Sequence, residues 1–460
     1  MLPYLIPGVG HSIQFVQDTH KTLVGARSYF SRKSQPFSVY IGGRRTYVVM
    51  DPRDIAETYK KTKELNFDAF VNQVMGYVGV SDHARMTMWS TSVPSTNLSV
   101  PNSIRSWVRQ DLQRGPASEP LYADFLKELD QTLLATTGNG SAARQSLLRW
   151  TGDIIVTAST NALFGPICLQ NAPELLEAFH MFNHHAWKLL FQYPRVLSAT
   201  AHDAKDGSVG ALTKYFELPK EQRQGAANFI LQSEDEMRRN GIGSRDIAAV
   251  LFKLYWAING NPSILAFWFL GHILYSPRIM TDLRAEVAPA FEENGPKAQS
   301  DLQVLLTQCP KLNAAFYETM RIHGGASTFR RVVQDTVVAG YEFKAGCDVM
   351  MPYRQLHLNE DYWGPNPERF DIQKFVDDPK LAMAKTYKPF GGGATYCPGR
   401  FLAQHTALSF MATILTRFDI QVVGGLQSQK FPEMDDKKPT LGIISPVPGD
   451  DVEISVRAAV

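Results

Sequence analysis

The middle of the chain carries a helical pattern. Between residues 117 and 290, apolar residues recur three and four positions apart, which is the spacing of a helix that buries one face. Glycine and proline residues divide this pattern into separate helices. The predicted helices span residues 117–136, 143–164, 172–191, 210–217, 219–239 and 244–276. A further apolar helical pattern begins near Arg400, so the chain is predicted to be mainly α-helical.

The segments outside this region carry short β patterns. Residues 37–50 contain two β-rich runs on either side of a Gly-Gly pair, which predicts a hairpin. Asp51 and Pro52 then mark the start of a helix that continues through Tyr59. Residues 66–103 are rich in Ser, Thr and Pro and are predicted to be irregular. Further β patterns lie at residues 325–333, 336–358 and 441–446, the last as a turn tip.

The composition is that of an ordinary globular protein. The chain has 460 residues, of which 44% are hydrophobic and 20% charged, and its net charge of +2 argues against nucleic-acid binding through bulk charge. It contains no run of about 18 or more apolar residues, so no transmembrane helix is predicted. The cysteines are far apart and form no CxxC pair, which indicates neither a disulfide framework nor a zinc site. They are Cys168, Cys309, Cys347 and Cys397.

The stretch from Phe390 to Arg400 has the most specific composition in the chain. It places Cys397 among four glycines and a proline, directly before an apolar helical pattern. A cysteine thiolate is a strong, electron-donating ligand of haem iron, and glycine lets the backbone lie close to a ring. A buried structural cysteine is the main alternative for these residues alone. A phosphate-binding turn is disfavoured, because no Lys-Ser/Thr follows and no clear strand precedes.

Residues 248–272 form a long apolar segment with a polar interruption at its centre. Pro262 has no backbone N–H, so the carbonyl of Ile258 is expected to lose its helical partner. Gly260 would allow another group to approach closely. These residues indicate either a kinked core helix or a helix that opens over a bound ligand.

Charged residues downstream are candidates for structural contacts. Glu318 and Arg321 lie three positions apart and share one helix face, where a solvated ion pair is the ordinary interpretation. Arg330 and Arg331 are neighbours in an alternating β pattern and therefore point to opposite faces. Arg369 follows in the run Pro-Glu-Arg-Phe.

Together these motifs resemble those of the cytochrome P450 family. The run Phe390-x-x-Gly393-x-x-x-Cys397-x-Gly399 is similar to the family's haem-binding signature, and the long helix and the Glu-x-x-Arg pair precede it in the family's order. The resemblance extends over nearly the whole chain. It implies one haem-thiolate catalytic domain over residues 1–460, with the P450 fold, mainly α with a small β region, and with haem b bound through Cys397.

Two positions depart from the family pattern. Thr395 stands where the family usually has an Arg or His that pairs with a haem propionate, so only a hydroxyl hydrogen bond is expected there. On the long helix, Gly260 and Asn261 stand where the family usually has an acid and a Thr that deliver protons to bound oxygen. An amide donates hydrogen bonds but cannot act as an acid.

The resemblance implies roles for individual residues. Cys397, Gly260 and Asn261 are implied to be catalytic, and Arg330 is preferred to Arg331 as a propionate partner. The residues implied to contact the haem are Cys397, Arg330, Phe390, Gly391, Gly393, Thr395 and Gly399. Those implied to line the substrate pocket are Ala257, Asn261, Ala326, Ser327, Thr328 and Ile443, with Phe70, Trp187 and Phe191 as further candidates. Those implied to form a buried structural network are Glu318, Arg321 and Arg369.

The resemblance also narrows the reaction. The run from Gly393 to Arg400 resembles the sterol 7α- and 12α-hydroxylases, and Asn261 is shared with these enzymes and with prostacyclin synthase. This implies a monooxygenase that oxidises a lipophilic sterol- or terpenoid-like substrate with O2 and electrons that a reductase takes from NADPH. Two alternatives stay open: a redox-independent isomerase or dehydratase that acts on a peroxide, and a haem-based binding or sensor protein.

Partners and location are implied in the same way. The start, Met1 to Gly8, resembles the proline-rich hinge that follows the membrane anchor in endoplasmic-reticulum members of the family. We therefore expect a location on the cytosolic face of that membrane, through an anchor absent from this chain. The expected partners are an NADPH-dependent reductase, a lipophilic small molecule and the membrane surface. No nucleic-acid partner is expected, and the protein is expected to be a monomer.

Overall fold

A computed structural model of the protein describes residues 1–4, 9–30, 35–136, 143–291 and 299–459. Helices predominate over short strands in these residues, which confirms the predicted class, mainly α with a small β region. Residues 5–8 of the predicted hinge lie outside the described residues. The chain folds into two compact units. Unit 1 comprises Met1–Gln73, Tyr317–Cys397 and Pro432–Asp450, and unit 2 comprises Val74–Phe316, Pro398–Phe431 and Asp451–Val460.

The elements of the described residues are numbered in chain order. The helices are α1 (Ser12–Gln17), α2 (Thr19–Tyr29), α3 (Pro52–Lys60), α4 (Asp68–Tyr77), α5 (Asp82–Ser90), α6 (Val100–Leu112), α7 (Glu119–Thr136), α8 (Leu147–Phe164), α9 (Ile167–Asn171), α10 (Glu174–Leu190), α11 (Arg195–Glu217), α12 (Asn228–Arg239), α13 (Ser244–Leu274), α14 (Pro277–Val287), α15 (Leu302–Thr307), α16 (Pro310–His323), α17 (Arg354–His357), α18 (Glu360–Trp363), α19 (Gln373–Asp377) and α20 (Arg400–Arg417). The strands are β1 (Phe37–Ile41), β2 (Arg44–Val48), β3 (Leu65–Asn66), β4 (Ser92–Val93), β5 (Leu98–Ser99), β6 (Ala143–Ser146), β7 (Ser327–Val332), β8 (Thr336–Val338), β9 (Tyr341–Phe343), β10 (Asp348–Pro352), β11 (Phe418–Val422) and β12 (Glu453–Ala458).

Unit 1 is built around a five-stranded sheet with the strand order β1-β2-β10-β7-β3. The predicted hairpin is confirmed, because β1 and β2 pair antiparallel and Gly42 and Gly43 have φ angles of 58° and 76° in the turn. The carboxylate of Asp51 accepts a hydrogen bond of 2.8 Å from the backbone N–H of Arg53 and caps α3, as predicted. β10 runs parallel to β2 and antiparallel to β7, which carries the β pattern predicted at residues 325–333.

Unit 2 is a helical body with α13, a helix of 31 residues, at its centre. α13 contacts α8, α11, α14 and α20, and most of its residues are buried. A buried hydrogen bond of 2.8 Å between the hydroxyls of Thr160 and Tyr255 joins α8 to α13. The same unit contains the antiparallel sheet β11-β12-β6. Across the described ranges, no helix is both long enough and apolar enough to span a bilayer.

The prediction that residues 66–103 are irregular is wrong. This segment contains α4, α5 and the start of α6. Its serines and prolines mark helix starts: the hydroxyl of Ser81 accepts a hydrogen bond from the N–H of Ala84 at the start of α5, and Pro101 lies in the first turn of α6. Ser at the N-cap and Pro in the first turn are both favoured positions. The Ser and Pro residues of this segment therefore indicate helix boundaries, whereas the prediction took them as signs of a loop.

The long predicted helices at 117–136, 172–191 and 244–276 are confirmed as α7, α10 and α13. Three other boundaries are corrected. The helix predicted at 210–217 is the end of α11, which begins at Arg195 and contains Gly207, where a Cβ would lie 3.5 Å from Ala178 in ordinary contact. The helices predicted at 143–164 and 219–239 begin later, at Leu147 after strand β6 and at Asn228. The prediction did not allow for Gly207 inside α11, and it did not identify strand β6 in front of α8.

Candidate functional site

The loop that contains Cys397 is held by its own backbone. The N–H of Cys397 donates a hydrogen bond of 3.1 Å to the carbonyl of Phe390 and closes the loop. Gly391 and Gly393 have φ angles of 74° and 61°, in the region that favours glycine. A Cβ on Gly393 would lie 2.8 Å from the side chain of Tyr59, which is closer than a side-chain carbon can approach. Backbone conformation and packing therefore both require glycine at position 393.

Cys397 differs from two of the other cysteines in accessibility. Cys168 and Cys309 are fully buried, and burial raises the pKa of each thiol to about 12. Cys397 and Cys347 are partly accessible, and only Cys397 lies in the glycine loop. A thiol is a metal ligand in its thiolate form, which deep apolar burial disfavours. Cys397 is therefore the cysteine whose position and accessibility best suit a ligand.

Arg330 and Arg331 point to opposite faces of β7, as the β pattern predicts. Arg331 pairs with Asp348, its Nε lying 2.6 Å from the carboxylate. Arg330 is only 6% exposed, and its guanidinium donates to the carbonyl of Phe329 at 2.8 Å and to the hydroxyl of Thr395. The positive charge of Arg330 is therefore held beside the Cys397 loop, in direct contact with the threonine that departs from the family pattern.

A chain of hydroxyl groups lies next to the same loop. The hydroxyls of Tyr59 and Tyr353 are hydrogen-bonded to each other, and that of Tyr353 donates to Thr328 at 2.6 Å. A Cβ on Gly391 would lie 3.6 Å from the Tyr353 hydroxyl and 3.7 Å from that of Thr328. Burial raises the pKa of both tyrosines above the ordinary value, so both phenols stay protonated. Thr328, predicted to line the substrate pocket, is thus placed against the cysteine loop.

Other residues predicted to contact substrate also lie in unit 1. Gly324 and Ile443 form an isolated β-bridge, and the N–H of Gly325 donates to the carbonyl of Gly442 at 2.9 Å. These contacts bring the predicted turn tip next to Ala326, and Ser327 then begins β7. Separately, Phe70 stacks on Phe329 with ring centroids 5.6 Å apart.

Glu318 and Arg321 form a fully buried ion pair at the end of α16. The guanidinium donates two hydrogen bonds to the carboxylate, at 2.7 and 2.8 Å, and both side chains are 0% exposed. A third guanidinium hydrogen bond reaches the carbonyl of His357 at 2.7 Å, and the backbone N–H of Asp371 donates to Glu318 at 2.9 Å. The predicted pairing of the two charges is therefore present. A buried ion pair whose remaining hydrogen bonds are satisfied is costly to break, because removing one partner leaves the other charge buried and uncompensated.

The predicted participation of Arg369 in this network is not found, because its side chain is exposed. The carboxylate of Glu318 is already occupied by Arg321 and by the N–H of Asp371. His357 takes part instead: its Nε2 accepts a hydrogen bond of 2.9 Å from the backbone N–H of Lys388, which precedes the cysteine loop. Burial lowers the pKa of His357 to about 3, so the ring is a neutral acceptor.

The centre of α13, in unit 2, contains the other predicted catalytic residues. The helix continues through Pro262 without interruption, so the predicted opening is not seen. Ala257 and Asn261 are exposed, whereas Asn259 and Gly260 are buried. Asn261 therefore lies on an accessible face of the helix, and Gly260 lies on a packed face.

Gly260 lies where α10 packs against α13. A Cβ on Gly260 would lie 2.6 Å from the side-chain oxygen of Asn183 and 3.0 Å from the ring of Trp256. The indole N–H of Trp256 donates to that oxygen at 2.9 Å. At the position that carries an acid in the family pattern, the neighbouring helix thus places the Asn183 amide, which an added side chain would have to displace.

Gly260→Ala is accordingly expected to lower the free energy of unfolding by about 1–3 kcal/mol, because the methyl group displaces Asn183 from its hydrogen bond. Chemical denaturation measures this change. Gly210→Ala in α11 is the matched control, since no atom lies within 4 Å of the added Cβ and higher helix propensity should stabilise the protein. Equal effects of the two substitutions would contradict the packing role.

The family model described as cytochrome P450 matches residues 1–451. This chain belongs to the cytochrome P450 family. "Cytochrome P450 monooxygenase poxD" of Penicillium oxalicum is 27% identical to it, over 96% of this P450 and 92% of the relative. The human "7-alpha-hydroxycholest-4-en-3-one 12-alpha-hydroxylase" is 25% identical, over 96% and 89%, and a "Cytochrome P450 monooxygenase" of Gibberella zeae is 24% identical, over 92% and 82%.

These matches confirm the predicted family, the P450 fold and the enzyme class, a cytochrome P450 monooxygenase. They also confirm a likeness to sterol 12α-hydroxylases, at low identity. Family membership implies haem iron as the cofactor of this P450. One family model extends over both compact units, while the boundaries of a single domain at residues 1–460 stay a prediction.

The residues of unit 1 fit a haem group. The loop offers an accessible cysteine on a backbone that is bare of side chains at three successive glycines. A buried guanidinium, Arg330, and two neutral phenols, Tyr59 and Tyr353, lie beside it. Cations and hydroxyl donors are suitable partners for carboxylates such as haem propionates. Haem carries two carboxylates, so it requires cationic or hydrogen-bonding groups close to the cysteine that would bind its iron.

Sequence reasoning missed several of these residues. Tyr59, Tyr353 and His357 gave no local signal, because their partners are distant in sequence.

Proposed function

We propose that this P450 is a haem-thiolate monooxygenase that oxidises a lipophilic sterol- or terpenoid-like substrate with O2 and with electrons from an NADPH-dependent reductase. The observation that carries the proposal is the Cys397 loop, with its positive-φ glycines and the buried Arg330 beside it. The substrate class is supported by likeness to a sterol hydroxylase and by the apolar and aromatic character of Phe70 and Ile443.

Cys397 is the residue proposed to bind the haem iron as a thiolate, and Phe390, Gly391, Gly393 and Gly399 would shape the backbone around it. When bound, the haem supplies O2 activation, which the electron-donating thiolate promotes. The chain's own residues hold the group: Arg330 would pair with a propionate, and Thr395 keeps the guanidinium in place through its hydroxyl. Thr395 thus acts through Arg330, whereas the family pattern has a second cation at the position of Thr395.

On α13, Asn261 is the proposed contact for substrate and water. Its amide can donate and accept hydrogen bonds but cannot supply a proton as an acid. Because Gly260 is packed against Asn183, an acidic side chain beside Asn261 would have to displace the end of that side chain. We infer that Asn261 orients water, which carries the proton, while the small side chain of Ala257 leaves room for the substrate. Ala326, Ser327, Thr328 and Ile443 are the proposed lining from unit 1.

The absence of an acid at position 260 also favours one alternative. An isomerase or dehydratase that acts on a peroxide needs neither external electrons nor a proton delivered to bound oxygen. The same accessible Asn261 would then serve only to orient the peroxide. The two reactions therefore differ in their requirement for a reductase.

Turnover with and without NADPH and a P450 reductase distinguishes these reactions. We expect a sterol or terpenoid substrate to give an oxygenated product only when O2, NADPH and reductase are all present. Omission of the reductase is the control. Product from a lipid hydroperoxide without any electron donor, at a comparable rate, would overturn the monooxygenase proposal and support the alternative.

We also propose a location on the cytosolic face of the endoplasmic reticulum, with the protein acting as a monomer beside its reductase. A lipophilic substrate that partitions into a bilayer supports this proposal. Fractionation of cells that express the protein tests it. Recovery in the microsomal fraction with the reductase is expected, and recovery in another compartment would contradict it.

A further inference from the structure

The side-chain amide of Asn183, on α10, is oriented by a hydrogen bond of fixed direction. The indole N–H of Trp256 on α13 donates to its oxygen at 2.9 Å. An indole N–H only donates, so the amide oxygen must face Trp256 and the NH2 group must point elsewhere. The same oxygen would lie 2.6 Å from a Cβ on Gly260. The contact with α13 therefore decides which way the amide is turned.

The NH2 group of Asn183 is open to a further partner. Asn183 is half-buried. Among the described residues, the hydrogen bond of this side chain is made through its oxygen, and its nitrogen is not sealed from solvent. An amide nitrogen carries two N–H donors. Both donors are therefore held in a set orientation and are available to an acceptor from outside the chain.

Asn183 lies beside residues that are proposed or predicted to contact the substrate. Its oxygen packs against Gly260, which follows Ala257 by three residues and directly precedes Asn261. On α10, Trp187 follows Asn183 by four residues and so lies on the same flank of the helix. Ala257 and Asn261 are exposed, and Trp187 is half-buried. Asn183 thus brings a fixed donor to an accessible surface that also carries apolar groups.

A fixed donor in such surroundings selects ligands by their oxygen atoms. A small number of placed polar groups orients a ligand in a mainly apolar site. A donor that is ordered before binding loses less conformational entropy when the ligand arrives. A carbonyl oxygen is a pure acceptor and therefore matches two N–H donors. A hydrocarbon of the same shape displaces water from these donors without replacing its hydrogen bonds, so it binds more weakly.

We propose that Asn183 is a specificity-determining residue that donates to a carbonyl oxygen of the substrate, and that Trp256 is a positioning residue that acts through Asn183. The proposal rests on the proposed function and narrows its substrate class to ketones of a sterol- or terpenoid-like skeleton. Gly260 belongs to the same arrangement, because a side chain there would displace the end of Asn183.

Spectral titration of the holoenzyme with 5α-androstan-3-one and with 5α-androstane tests the role of Asn183, since the probes share a skeleton and differ in one carbonyl group. The wild-type protein should bind the ketone about tenfold more tightly. Asn183→Asp keeps an acceptor for Trp256 and removes the donors, so it should abolish this preference, as should Asn183→Leu. Asn171→Asp is the control: Asn171 is exposed at the end of α9, and the preference should persist.

Trp256→Phe tests the positioning role, because it removes the indole N–H and lets the amide turn. The ketone preference should fall severalfold in this variant. The same substitution combined with Asn183→Leu should change the preference no further, since the residue through which Trp256 acts is then absent. A fall of equal size with and without Asn183 would show that Trp256 acts on the substrate in another way.

The inference is overturned if the wild-type protein binds both probes equally or binds neither. It is also overturned if either Asn183 variant keeps the wild-type preference. The carbon monoxide spectrum of each variant checks that its haem site is intact. The proposed function fails separately, when the wild-type protein shows no thiolate-type carbon monoxide spectrum.

Discussion

Replacement of Cys397 by alanine is expected to abolish the absorption of the reduced carbon monoxide complex at about 450 nm, which is the signature of a thiolate ligand. Monooxygenase activity should be lost with it, because no other side chain of the loop donates electron density in the same way. The spectrum of the reduced protein with carbon monoxide measures the first effect, and NADPH-dependent product formation measures the second.

Cys347→Ser provides the matched control for this substitution. Cys347 is a partly accessible cysteine of unit 1 that lies outside the glycine loop. Its replacement should leave the thiolate spectrum intact. Far-UV circular dichroism of Cys397→Ala should show unchanged helix content, since the loop is closed by backbone contacts such as the hydrogen bond from residue 397 to Phe390. A thiolate spectrum that survives in Cys397→Ala would mean that another cysteine binds the iron.

The loop could be predicted from the sequence because its requirements are local. The positive φ angles of Gly391 and Gly393 arise within a few residues of each other, and composition alone signals them. The turn at Gly42-Gly43 and the cap at Asp51 were predicted for the same reason. Each of these features depends on neighbours in the chain, so a pattern of a few residues is enough.

The contacts among the groups beside the loop could not be predicted, because they are assembled over long sequence separations. Tyr59 and Tyr353 are 294 residues apart, and Arg330 and Thr395 are 65 apart. A tyrosine that will donate to another hydroxyl has the same local sequence context as any half-buried tyrosine. The contacts that hold a cofactor's polar rim therefore appear only once the chain is folded.

Position 260 shows a different limit of sequence reasoning. The family motif has an acid at the position of Gly260, so the sequence shows only that the acid is absent. The structure shows what occupies the space: Asn183 and Trp256 pack against the glycine, so a Cβ would have to displace the end of the Asn183 side chain. The departure from the family pattern is therefore coupled to the approach of α10, and replacing the glycine alone would not restore an acid in a usable position.

Glu318→Gln is expected to cost about 3–5 kcal/mol of folding free energy, because it leaves the buried cation of Arg321 without a compensating charge. Both side chains are completely buried, so water cannot replace the lost carboxylate. The denaturant midpoint of unfolding measures this cost. Asp335→Asn is the control: Asp335 pairs with Lys344 at the surface, and its loss should leave the midpoint nearly unchanged.

The same substitution should also reduce haem content, because the ion pair is connected to the cysteine loop through His357. Arg321 donates to the carbonyl of His357, and the ring of His357 accepts from the N–H of Lys388, two residues before Phe390. The ratio of haem to protein measures this effect. Replacing both charges, as in Glu318→Gln with Arg321→Met, should recover part of the stability, since no unpaired charge is then buried. Full stability and haem content in Glu318→Gln alone would show that the pair is not required to hold the loop.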